Sequence, residues 1–157
     1  MRKDLPALVL IYNQAIGAGQ TADTVPLTVS ERQPWLEAHQ DSRYPLFVAV
    51  NNGTILGYAT LSKYRGGRPA LRSVVEVSYY IHRQYQRKGV GKALLAHSLD
   101  AARKLEFKHV FALLLDTNLP SIRLLERFDF VQWGHLPNIA EVNEIVCGQF
   151  FYGRQLY

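Results

Sequence analysis

Gln86-Arg87-Lys88-Gly89-Val90-Gly91 joins two segments of different periodicity. Before it runs Val74 to Ile81, β-branched and aromatic, and after it runs the uninterrupted amphipathic segment Lys92 to Leu105. A junction of strand, glycine-rich turn and helix leaves backbone N–H groups free at the helix N-terminus, and glycine lets an anion approach them. The stretch therefore predicts a phosphate or pyrophosphate site, to which Arg87 and Lys88 add positive charge.

Downstream, His109 to Leu115 is a nearly continuous apolar run of strand length, as expected of a strand covered on both faces. Asp116 to Pro120 reads as a turn and Ser121 to Arg127 as a short helix. Phe130 to Gly134 and Ile145 to Tyr157 read as strands, with irregular chain between them. Upstream, Leu46 to Val50 and Ile55 to Leu61 flank Asn51-Asn52-Gly53, which predicts a hairpin. The loop Lys63 to Leu71 holds two glycines, Pro69 and three basic residues, and is expected to be exposed. Asp4 to Ala18 has helical apolar spacing with Asp4 as N-cap, and Thr28 with Glu31 predicts a capping box opening a helix through His39. The order ααβββαβαββ implies an α/β (α+β) sandwich around a mixed sheet, with a crossover helix after the third strand.

The 157 residues predict one domain, 1–157, with a core of ordinary size, the composition being 48% apolar and 20% charged. The first residues carry neither a signal-peptide pattern nor a run long enough to span a membrane, so a cytoplasmic protein without membrane contact is expected. Cys147, the single cysteine, excludes an internal disulfide framework and a thiol cluster, and no His or carboxylate spacing suggests a metal. The net charge of +5 favours anionic ligands, but the basic residues are scattered and lack interleaved aromatics. A phosphorylated cofactor fits this pattern better than nucleic acid.

The chain resembles the GCN5-related N-acetyltransferase superfamily, and within it the phosphinothricin and methionine-sulfoximine acetyltransferase-like branch. The Gln/Arg-x-x-Gly-x-Gly/Ala signature is met by Gln86, Gly89 and Gly91 between the right strand and the right helix. Further matches are Ile11-Tyr12-Asn13, Thr28 through Trp35-Leu36-Glu37-Ala38-His39, Gly57-Tyr58-Ala59, Val75-Glu76, Asn118 with Ser121, Glu126-Arg127 and Gly134-His135-Leu136. The resemblance implies a mixed sheet splayed at the strand 74–81, with acetyl-CoA in the splay and a small amino-acid-like amine as acceptor. It also implies a homodimer, the common state of relatives. The sequence departs from the pattern at Leu125, where most members carry a tyrosine that protonates the leaving thiolate, at Ala22, at Asp129 and after Leu136. These departures motivate a rival reading, a non-catalytic acyl-CoA-binding or sensing domain.

Acetyl transfer needs an anchored donor, a deprotonated amine, a partner for the developing oxyanion and a way to release the thiolate. Gln86, Arg87, Lys88, Gly89, Val90 and Gly91 are expected to hold the donor's pyrophosphate. Alternation places Glu76 with Ser78 and Tyr80 on one face of its strand, and Val75, Val77, Tyr79 and Ile81 on the other. A half-buried Glu76 suits the general base, its other reading being a salt bridge to Arg72. Backbone N–H groups of Tyr79, Tyr80 and Ile81 would meet the oxyanion and the pantetheine arm. Asn118 matches an asparagine near the thioester and is equally a helix N-cap. Arg72 aligns with an arginine that relatives use for the acceptor's acid group, or is a solvated loop charge. For the thiolate, Ser121, Tyr79, Tyr80 or bulk water remain open.

Overall fold

The structure, a computed structural model, describes residues 2–157. Its principal elements run α1 (Leu5–Gly17), α2 (Val29–Ala38), β1 (Leu46–Asn51), β2 (Thr54–Lys63), β3 (Val74–Ile81), α3 (Val90–Lys104), β4 (His109–Leu115), α4 (Leu119–Arg127), β5 (Val131–Val142) and β6 (Ile145–Gln155). This is the expected order. One sheet in the order β1-β2-β3-β4-β6-β5 carries them, antiparallel throughout except where β3 runs parallel to β4. A parallel pair needs a crossover, and α3 supplies it.

The helices cover the sheet from two sides. Against α3 and α4 lie Val75 and Val77 of β3, Ala112 and Leu114 of β4, with Leu95, Leu99 and Leu125 from the helices. Against α1 and α2 lie Tyr58 of β2 and the partly buried Tyr80 of β3, with Leu8, Ile11 and Leu36. Each fully buried leucine contributes about 1.5–3 kcal/mol. Helix α2, mostly polar, is held by its ends: Thr28 Oγ1 accepts from the Glu31 N–H, and Glu31 accepts from the Thr28 N–H at 2.7 Å. The helix accommodates Pro34 in its interior, with the capping box at its start and the fully buried Leu36 two residues beyond the proline.

Apart from shifts of one or two residues at other element ends, three differences from expectation have a local cause. A 3-10 turn, Arg2–Asp4, precedes α1, so Asp4 has helical dihedrals and its side chain makes no capping hydrogen bond to the helix. Helix α4 begins two residues before Ser121, because Asn118 caps it and Pro120 fits its first turn. The chain from 135 to 142 is strand rather than irregular: β5 is continuous, and irregularities between Gln132 and Gly134 and between Leu136 and Ala140 absorb Pro137 and Asn138. An edge strand tolerates proline, and β5 is one.

Candidate active site

Strand β3 forks away from β4. Its pairs with β4 are Val74 with His109, Val75 with Val110 and Glu76 with Phe111. Beyond Glu76 it continues to Ile81 paired only with β2, while β4 continues to Leu115 paired only with β6. The peptide groups on the β4-facing edge of 77–81 therefore have no strand partner. A cavity of about 350 Å³ fills the fork, between 77–81 of β3 and 112–114 of β4, with Asn118, Ser121 and Leu125 from α4 and Gln86 and Arg87 from the turn after β3.

That turn is built by left-handed residues. Arg87 has φ 60° and Gly89, the N-cap of α3, has φ 83°. Glycine offers no capping side chain, and the first helical bond is from the Ala93 N–H to the Gly89 carbonyl (3.0 Å). The N–H groups of the first turn of α3 are thus open to an anion. A Cβ on Gly89 would meet nothing within 4 Å, so its glycine is required by dihedral and leaves the approach clear. Gly91 is different: a Cβ there would lie 3.2 Å from Leu124 and 3.4 Å from Ile81, so it serves helix packing. Gln86 Nε2 donates back to the Ile81 carbonyl (3.4 Å), and Lys88 Nζ sits 5.5 Å over the Tyr85 ring. Val90 is buried.

The alternation of β3 is as expected. Val75 and Val77 face the α3 and α4 side, whereas Tyr80 stacks edge-on against Tyr12 (5.0 Å) and leans on Tyr58 (5.4 Å) on the α1 and α2 side. Glu76, on that second face, is the last β3 residue paired with β4. It is half-buried, burial alone pushes its carboxyl above the ordinary value, and among the described residues no cation forms an ion pair with it.

Arg72 is neither its partner nor its neighbour in the cavity. It is exposed just before β3, its carbonyl accepts from Arg43 Nη2 (3.1 Å), and it lines a separate basic hollow with Arg43 and Lys108. It caps the 3-10 turn before β3 with helical dihedrals, outside the strand that carries Glu76. The cation that does stand on the Glu76 side is Arg32, which sequence reasoning missed. Its guanidinium lies 4.4 Å from the Tyr12 ring and 4.0 Å from the Trp35 ring. Tyr12 in turn donates a hydrogen bond to Asp23 in the α1–α2 connection, and the Tyr58 hydroxyl is buried on the same side, within the electrostatic reach of Arg32. The spacing of Arg32 and Trp35 on a capped helix was the available signal; the aromatic partners come from other elements.

On the opposite face, the Tyr79 hydroxyl lies 2.6 Å from Ser121 Oγ. Burial pushes that phenol up to about 12, with the Ser121 hydrogen bond pulling the other way. Asn118 Oδ1 accepts from the Ser121 N–H (3.4 Å), so its capping role is real, and it also lines the fork. Among the described residues no group of three His, Cys, Asp or Glu side chains is arranged to hold a metal ion. No helix among them is long and apolar enough to cross a membrane.

A mixed sheet opened between its parallel strands, with an anion-receptive turn at one end of the opening and a half-buried carboxylate at its fork, defines a group-transfer enzyme with a phosphorylated donor. The acetyltransferase (GNAT) family model matches residues 14–130, and the chain belongs to that family. It is 39% identical over 156 residues to YwnH of Bacillus subtilis (strain 168), covering 98% of this chain and 94% of YwnH. It is 34% identical over 146 residues to an L-methionine sulfoximine/L-methionine sulfone acetyltransferase of Salmonella typhimurium, covering 88% of this chain and 81% of that protein. Among solved structures, a phosphinothricin acetyltransferase from Sinorhizobium meliloti in complex with AcCoA superposes with TM-score 0.93 at 26% identity, over 99% of this chain and 84% of that one.

Proposed function

We propose that the protein is an acetyl-CoA-dependent N-acetyltransferase of small, amino-acid-like amines, working in the cytoplasm as a single domain, 1–157. The observation that carries this reading is the fork at Glu76, which joins the Gly89 turn to a half-buried carboxylate. The relatives' substrates, methionine sulfoximine and phosphinothricin, are the first acceptors to try.

The turn amides of α3, with Arg87 beside them, hold the donor's pyrophosphate by hydrogen bond and charge. Lys88 adds charge from the exposed side, Gln86 fixes the turn to β3, and Gly89, Val90 and Gly91 shape and seat the helix end. The free edge of β3 from Tyr79 to Ile81 pairs with the pantetheine arm, and its N–H groups meet charge developing on the thioester oxygen. Asn118 and Ser121 bound the same cavity from α4. Glu76 takes the ammonium proton; an α-amine of pKa about 8 asks much less of it than a side-chain amine near 10.4. Arg32, held between Tyr12 and Trp35, is a better partner for the acceptor's acid group than Arg72, which lines a separate hollow. The carrying test is thiol release from acetyl-CoA against an amine panel with Glu76→Gln alongside. Turnover with α-amino acids that collapses in the variant is expected, and binding without turnover on any amine would leave the sensing domain.

The exposed apolar surface of the β5–β6 hairpin supports a homodimer through that hairpin. The edge strand β5 exposes Trp133, Leu136 and Ile139, and β6 exposes Ile145 and Val146. A long apolar edge of this kind is normally covered. Light scattering should give about twice the chain mass, and Trp133→Asp with Ile139→Asp should give the monomer.

A further inference from the structure

Breaking the thioester C–S bond moves an electron pair onto sulfur, and an unsolvated thiolate between apolar side chains is unfavourable unless it accepts a hydrogen bond. The fork wall on the α3 and α4 side is largely apolar, with Ala112, Leu114, Leu124 and Leu125 facing the cavity. Leu125 is 1% exposed and has no proton to give. Tyr80 stands on the other face, among Tyr12 and Tyr58 and beside Glu76. The sheet separates these two faces, and the fork is the opening between them. On the face away from Glu76 the cavity is lined by Tyr79 and Ser121, whose hydroxyl oxygens lie 2.6 Å apart, with the Ser121 N–H held by the Asn118 cap.

We propose that the Tyr79–Ser121 pair is the proton donor to the leaving sulfur, so that the acid of this reaction stands on β3 rather than on α4. The inference rests on the fork being the acyl-CoA site. The amine lone pair forms the C–N bond, and the C–S bond breaks with its pair moving to sulfur. Tyr79 gives its proton to that sulfur while Ser121 Oγ relays one from water to the Tyr79 oxygen, taking one proton as it passes on its own, so that no alkoxide forms. The two protons lost by the ammonium leave through Glu76, so one proton is released per turnover. Because burial holds Tyr79 protonated up to about 12, the donor is present throughout the neutral and mildly alkaline range.

Single-turnover acetyl transfer, with acetyl-CoA affinity measured separately, tests this in Tyr79→Phe and Ser121→Ala. Tyr79→Phe should slow transfer about 10- to 100-fold, keep acetyl-CoA affinity, and lose the solvent deuterium isotope effect of the wild type; Ser121→Ala should show a smaller loss of the same kind. A Tyr79→Phe protein with the wild-type rate, or one whose loss is matched by weaker acetyl-CoA binding, overturns the assignment. A wild type that releases no thiol with any amine fails earlier, at the acetyltransferase reading itself, and is distinguishable from an active wild type indifferent to Tyr79.

Discussion

The two halves of β3 share a strand and an alternation but not an environment. At Val75 and Glu76 the strand is paired on both edges, and Val75 is fully buried. From Val77 to Ile81 it has β2 on one side and a cavity on the other. The closed half contributes stability through burial and satisfied peptide groups. The open half gives up one ladder of hydrogen bonds, and those groups become available to a ligand. Glu76 stands at the boundary, near enough to the core to be desolvated and one residue before the first that lines the opening.

The comparison is broken most sharply at that boundary. Glu76→Gln should lower kcat by about a hundredfold or more while raising the melting temperature at neutral pH, because the amide carries no desolvated charge. The sign follows from the raised carboxyl: both folded and unfolded states are protonated below the ordinary value of 4.5, and the folded state is penalised as pH rises through its higher value. Thermal melts should therefore show the variant's advantage growing from pH 4 to pH 7, and an advantage independent of pH would contradict the account. Next in size, Val75→Ala in the closed half should cost about 2 kcal/mol, read as a fall in denaturation midpoint, whereas Ser78→Ala in the open half should change stability by less than about 0.5 kcal/mol. Between these two in stability, Gly89→Ala should cost about 1 kcal/mol from its left-handed dihedral alone, and calorimetric titration should find acetyl-CoA binding weakened by more than that loss accounts for.

Much of the fold was legible from local pattern. Val74–Ile81 and His109–Leu115 are strands with the expected bounds, because β-branched and apolar runs of that length have few alternatives. The Asn52-Gly53 turn has φ 47° and 77°, the left-handed pair that such hairpins favour. Thr28 and Glu31 cap α2 because both partners lie within four residues. The length of β5 was hidden, since Pro137 and Asn138 break the alternation that a bulged edge strand does not need.

The candidate site divides in the same way. Gln86 to Gly91 announced an anion-receptive helix end from sequence, because free amides and a left-handed glycine are local properties of the chain. Glu76 in mid-strand was equally visible, and its parity followed from the period of two. What only the tertiary structure decided was which groups meet across the fork. Pairing of β4 with β6 carries it away from β3, brings Tyr79 onto Ser121 from 42 positions away, and leaves Arg72 in a different hollow. Those relations depend on strand pairing and helix packing between distant segments, and neither periodicity nor residue type encodes the distance between them.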